Sequence, residues 1–381
     1  MSNKKETAFC PLKKTSIGGQ ALLEGIMMRG PKKSAMAVRR PDGEMVVEVT
    51  DLKHADRKGF LKWPVVRGVV GFVDSMVVGY QAMMRSAELS GLDEALEEEE
   101  REKAAKKAAK EAEKRAKKLG ITVEELAERE AAENPVDTEI KEELPAEESA
   151  PAVKEEKKDT SGMMTGIMVV ALVLGLGLAM LLFKVLPETI YELLTWAVPS
   201  LKGEGYWFNL VRAAVTGVVK IAVMVGYMAA VSLMKDIKRT FMYHGAEHKT
   251  IFCYEQGLEL TVENVRRQSR FHPRCGTSFL ILMLLVSIVI NMFIPATLVD
   301  HKVLNIIART GIGLLTLPFI MGIGYELIRF AGKHDNLFTR IISAPGVWLQ
   351  HITTKEPDDS MIECAIAAVK EVIPEDGSDN W

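Results

Sequence analysis

Residues 162–186 read GMMTGIMVVALVLGLGLAMLLFKVL, and no side chain before Lys184 carries a charge. A helix needs roughly 20 mostly apolar residues to cross the hydrocarbon core of a bilayer. The stretch therefore predicts a transmembrane segment over 163–186. Three further windows meet the same standard, at 207–234, 277–299 and 303–330, of which the first and last contain charges. The expected fold class is a mainly α, polytopic membrane protein: four transmembrane helices, one amphipathic or re-entrant helix, and a small N-terminal β unit.

Orientation follows from the Lys and Arg residues near the helix ends, which favour the cytoplasm. The connection 235–274 carries Lys235, Lys238, Arg239, Lys249, Arg266, Arg267, Arg270 and Arg274, whereas 187–206 offers only Lys202. The long connection is expected on the cytoplasmic face, and four crossings put both termini there. The charged N-terminus MSNKKETAFCPLKK is followed by no apolar run, so insertion is expected to rely on the internal segments. The predicted location is the cell membrane, with the lipid bilayer as the first partner.

Outward from the spans the chain changes character. Over 63–84, Val65, Val66, Val69, Val70, Val73, Met76, Val77 and Tyr80 fall at helical spacing, and Arg67, Asp74 and Gln81 recur every seven residues as a polar stripe. Such a helix suits the membrane surface or a re-entrant position. Upstream, 35–40 and 44–50 flank Pro41-Asp42-Gly43, a hairpin signal, and 17–28 reads as one more short strand. Residues 91–160 hold 23 acidic against 14 basic side chains, a net of −9 within a total of −3, so the remainder carries +6. That asymmetry fits cationic flanks of membrane helices rather than a nucleic-acid binder.

The expected organisation is a cytoplasmic β unit over 1–60 and the amphipathic helix over 61–90. A charged helical or disordered linker follows over 91–160. The membrane domain covers 161–331, with its cytoplasmic loop at 235–275, and a cytoplasmic C-terminal segment over 332–381 contains a short helix capped by Ser360. Cys10, Cys253, Cys275 and Cys364 form no close-set framework, which points to a reducing compartment.

The second span is expected to run on as one helix past Met234, placing His244 about 15 Å beyond the membrane at roughly 1.5 Å per residue. His244, Glu247 and His248 stand at i, i+3 and i+4, on one helical face. Two imidazoles at that spacing can chelate a divalent ion while the carboxylate serves as general base. In the same loop His272 and Cys275 make a second two-ligand arm, with Cys253 as a spare. Three histidines and a cysteine suit zinc. Four bound ligands would make a closed, structural site, and three would leave a position for chemistry. The plainer reading has these groups solvating a helix face and packing a loop. Within the bilayer, Lys220 falls near mid-span with Asn291 as a candidate neighbour, Arg212 and Arg309 can snorkel, and Glu326 lies near the cytoplasmic end of the fourth span, where it can face the loop.

The segments GGQALLEGIMMRGP (18–31), YHGAEHKTIFCYE (243–255), SRFHPRCGTSF (269–279), GIGYELIR (322–329) and TTKEPDD (353–359) resemble the YqhQ-like bacterial membrane proteins. The resemblance covers 16–90 and 160–372. It implies a conserved domain of unknown function that is often labelled a predicted metal-dependent enzyme.

The reading these signals support is a zinc-dependent hydrolase at the cytoplasmic membrane face. His244, His248, His272 and Cys275 are its metal ligands and Glu247 its general base, with Lys220, Glu326 and Arg274 as further candidates. Its substrate would be a lipid or a membrane protein, and homo-oligomers are compatible with it. A transporter, or an assembly factor with a structural metal site, is the alternative. No nucleotide loop, nucleophile elbow or base-reading module is present in the sequence.

Overall fold

The computed structural model describes residues 13–52, 59–91, 106, 109–110, 112, 114–116, 119, 121–122, 170, 172–334 and 336–380. The linker expected over 91–160, Cys10, and residues 163–169 and 171 of the first apolar run lie largely or wholly outside them. The described residues up to 90 and from 176 onward form one compact unit.

An antiparallel four-stranded sheet opens the chain, in the order β1 (Gly18–Leu22), β2 (Gly25–Arg29), β3 (Lys33–Arg39), β4 (Met45–Asp51). The expected β3–β4 hairpin is present, its turn closed by Gly43 at φ 87°. The single strand expected over 17–28 is instead a hairpin, with Glu24 at φ 49° and Gly19 opposite Met28. It folds back because β2 must be covered on both faces. Ile26, Met28, Ala35 and Ala37 point into one apolar core, and Leu22, Met27, Met36 and Val38 into a second.

Helix α1 (Val66–Leu89) covers the second core with Val78, Ala82, Met83 and Leu89. Its N-terminal half packs elsewhere. Gly68 has no room for a side chain, since a Cβ there would lie 2.7 Å from the Cβ of Tyr325. Arg67 forms a two-point ion pair with Glu326. Asp74 and Gln81, the rest of the expected polar stripe, line a cavity of about 590 Å3 between α1 and the sheet. Val73, Met76, Val77, Tyr80 and Met84 remain exposed.

Among the described residues, three helices are long and apolar enough to cross a membrane: α2 (Leu172–Ala197), α3 (Tyr206–Val231) and α7 (Lys302–Lys333). Only 6%, 17% and 11% of their apolar windows are buried by protein, so their outer faces need an apolar solvent. The third expected span is shorter than its apolar run: α6 (Gly276–Met292) has 17 residues. That is about 25 Å, against a hydrocarbon core of about 30 Å. The apolar run continues, but the helix stops ahead of Pro295. The second expected span also differs. It is not continuous with the loop: α3 ends at Val231, Met234 is extended at ψ 136°, and α4 (Lys235–Glu255) begins afresh. Asp236 in its first turn favours a new N-terminus there.

Beyond α5 (Val262–Arg266), α6 and α7 come two helices, α8 (Leu337–Thr353) and α9 (Asp359–Val372). The cap of α9 is Asp358 rather than Ser360, through the amide of Met361. Helix α9 seals the first core against the sheet and α4 with Met361, Ile362, Ala365, Val369 and Val372. The α4 residues in this core are Tyr243, Ala246, Ile251 and Cys253, whereas His244, Glu247 and His248 meet Thr353, Gly19 and Arg270.

Candidate metal centre

Helix α4 presents His244, Glu247 and His248 together because a 3.6-residue turn stacks i, i+3 and i+4. Cys275 arrives from the other side as the N-cap of α6, its Sγ accepting the amide of Thr277 at 3.4 Å. One ligand atom from each of His244, His248 and Cys275 lies within 4.8 Å of the others. Both imidazoles are held the same way. His244 donates Nδ1–H to the carbonyl of Thr353 at 2.9 Å, and His248 donates Nδ1–H to the carbonyl of Arg270 at 2.5 Å. In a neutral ring that fixes the tautomer, and in either protonation state it turns both Nε2 atoms toward other partners, the usual outer arrangement of metal-binding histidines. The Nε2 of His244 stands 3.1 Å from Cys275 Sγ. The Nε2 of His248 is buried with no hydrogen-bond partner among the described residues.

The electrostatics are those of a charged pair in a dry site. Burial disfavours the His244 imidazolium, but the Cys275 thiolate outweighs it and raises the ring to about 9. Burial acts to raise the Cys275 thiol as well, yet His244 and His248 hold it well below its ordinary range. Glu247 is 6% exposed. Burial lifts its carboxyl above the usual carboxylate range, against the pull of the two histidines. Its Oε1 accepts the amide of Gly19 at 2.9 Å, so the β1 strand closes over the site. Gly19 has no room for a side chain, since a Cβ would lie 2.7 Å from the carbonyl of Met27.

His272, expected as a ligand, stands one layer back. Its ring packs 5.6 Å from His248 and 4.6 Å from Phe252 between centroids. Its Nδ1 accepts the amide of Arg274 at 3.3 Å, and its Nε2 lies 3.6 Å from Glu255, a contact too long for a hydrogen bond. Burial first, then the Arg274 charge, pushes the ring down to about 4, so it is neutral at pH 7. Arg274 forms a buried ion pair with Glu255, whose carboxylate also takes the amide of Thr15 at 2.8 Å. Burial acts to raise Glu255, but His272, Arg274 and Thr15 together hold it below the carboxylate range. Sequence reasoning misses Glu255. Its position eleven residues after His244, on the same helical face, is the signal that points to it.

The remaining candidates are spread through the bundle. Cys253 is buried in the first core, its thiol donating to Glu259 O at 3.5 Å, and is no part of the cluster. Cys253, Cys275 and Cys364 are all free of disulfide bonds. Lys220 lines a cavity of about 20 Å3 with Asn291, Glu188, Arg212 and Arg309. Glu188, which sequence reasoning also misses, pairs with Arg212 at 2.6 Å. Glu326 is engaged by Arg67 rather than by the Arg residues of the 235–274 connection.

Residues 63–375 match the family described as "Protein of unknown function (DUF1385)". The chain is 30% identical over 358 residues to the "Uncharacterized protein YqhQ" of Bacillus subtilis (strain 168), covering 93% of this chain and 92% of that relative. No solved structure matches it. The chain belongs to this family of proteins of unknown function.

Proposed function

We propose that this member of the family is a membrane-embedded, zinc-dependent hydrolase working at the cytoplasmic face. In this reading the chain crosses the bilayer four times, with α6 as the short crossing and both termini in the cytoplasm. The observation that carries it is the convergence of His244, His248 and Cys275, with each Nδ1 committed to a backbone carbonyl and one buried Nε2 left over. An imidazole–imidazole–thiolate donor set fits zinc, and three protein ligands leave its fourth position for Glu247 or a reactant. Zinc held there supplies Lewis-acid polarisation of a carbonyl or phosphoryl oxygen.

The chain's own residues do the rest. The carbonyls of Thr353 and Arg270 orient the two rings. Glu247, beside both imidazoles and with its carboxyl raised by burial, is the group placed to act as general base or acid. The Gly19 amide holds the Glu247 carboxylate in place, and the sheet keeps bulk water away. The substrate class that suits a site beside a bilayer is a lipid or a membrane protein.

Glu247→Gln tests the assignment. The variant keeps zinc and loses hydrolysis of an ester and peptide panel that the wild type turns over. Loss of zinc would make Glu247 a ligand, and unchanged turnover would remove it from the chemistry. One observation favours a second reading, a transporter or assembly factor with a structural zinc: the small cavity that brings Lys220, Glu188, Arg212 and Arg309 together. There Lys220→Ala would abolish cellular function and Glu247→Gln would leave it intact.

A further inference from the structure

The last three turns of α7, the start of α1 and the start of α8 line a groove of about 640 Å3. Its described lining holds three permanent cations, Arg67, Arg329 and Lys333, against a single carboxylate, Glu326. Glu326 is already committed to Arg67 at two points. Arg329 and Lys333 are four residues apart on α7 and so share one face. The C-terminal dipole of α7 contributes about half a negative charge, which leaves the groove clearly positive. Its floor is apolar, with Phe330 and Phe338 among its walls.

The surroundings fix the depth. Just before α1, Phe60 and Trp63 are 64% and 66% exposed. On α8, Leu337, Ile341 and Trp348 are 75%, 62% and 62% exposed. Exposed tryptophans such as Trp63 and Trp348 settle at the headgroup level of a bilayer. A positive groove over an apolar floor at that level matches a phosphate diester with acyl chains below it. We infer that this groove binds the headgroup of an anionic phospholipid, with Arg329 and Lys333 on the phosphate and Phe330 and Phe338 beside the first carbons of the chains. The inference rests on the membrane reading of α7 and is independent of the metal centre.

The test titrates the full-length protein in detergent with phosphatidylglycerol, phosphatidylcholine or inorganic phosphate, reading bound lipid by native mass spectrometry. Wild type should bind phosphatidylglycerol at least tenfold more tightly than phosphatidylcholine and should not respond to phosphate. Arg329→Gln with Lys333→Gln should weaken phosphatidylglycerol binding roughly 30-fold, from about 1 kcal/mol per cation. The charge-conserving exchange Arg329→Lys with Lys333→Arg should retain most of it. Circular dichroism and thermal unfolding, measured on every sample, should equal wild type and so certify folding separately from lipid binding. Equal binding of both lipids, full binding by the glutamine variant, or competition by inorganic phosphate would each overturn the assignment.

Discussion

Replacing Arg274 with Met removes one half of a pair that is buried on both sides: its side chain is 10% exposed and that of Glu255 1%. The methionine fills similar volume, so the loss is mainly of charge compensation. Glu255 would keep the Thr15 amide and a neutral His272, neither of which offsets a full charge. Breaking a buried pair in this way costs about 3–5 kcal/mol. At roughly 2–4 °C per kcal/mol for a unit of this size, the melting temperature should fall by about 6–20 °C at pH 8. The pH dependence has a definite sign. In the wild type Glu255 is held below its unfolded value, so the pair contributes fully above the ordinary carboxylate range and fades as pH falls. In the variant, unopposed burial raises Glu255, so the carboxyl protonates and the penalty shrinks on acidification. The assay is thermal unfolding of zinc-saturated protein at pH 8 and pH 5, for Arg274→Met, Glu255→Gln and the double variant. The double variant should recover at least half of the single loss. A shift under about 2 °C at pH 8, or an equal loss at both pH values, would refute this account of the pair.

The same geometry sets other outcomes. Gly19→Val should disrupt the β1–Glu247 contact and lower the melting temperature by several degrees, because its Cβ meets Met27 O and Met28 Sδ at 2.7 and 2.9 Å. Gly18→Val, with nothing within 4 Å, should be close to neutral in the same scan. His272→Gln should weaken zinc about 10–100-fold, as outer-layer changes do, when measured by chelator competition, while Cys275→Ser should lose it almost completely. Zinc affinity of the wild type should fall with acidification, because each imidazole and the thiol must be deprotonated to bind; an isothermal titration series from pH 8 to pH 5.5 reads this directly.

Sequence signals are legible where one local cause dominates. Length and apolarity alone mark the runs that form α2, α3 and α7, Pro41-Asp42-Gly43 marks a hairpin, and helical spacing puts His244, Glu247 and His248 on one face. The differences have tertiary causes. The run 17–28 looks like one strand until both faces of β2 need cover. The break at 232–234 has no glycine or proline to announce it. Helix α8 escapes a reading by sequence because Pro345 and Gly346 sit within it. At the site, the spacing of His272 and Cys275 suits a metal arm, but the chain turns at Pro273 so that Cys275 caps α6 while the His272 ring meets Glu255. Spacing along the chain restricts which side chains can meet. Which of them do meet depends on α8, through Thr353 and Gln350, and on the sheet, through Gly19, all distant in sequence.

Whether His244, His248 and Cys275 hold a divalent ion is tested most directly by metal content per chain. The full-length protein should be purified in detergent without chelators and measured by inductively coupled plasma mass spectrometry beside His248→Ala and Cys275→Ser. The expected result is about one zinc per wild-type chain and almost none in either variant, with all three proteins folded by circular dichroism. A wild type free of stoichiometric metal, or zinc retained by both variants, would contradict the assignment of this cluster as a metal centre.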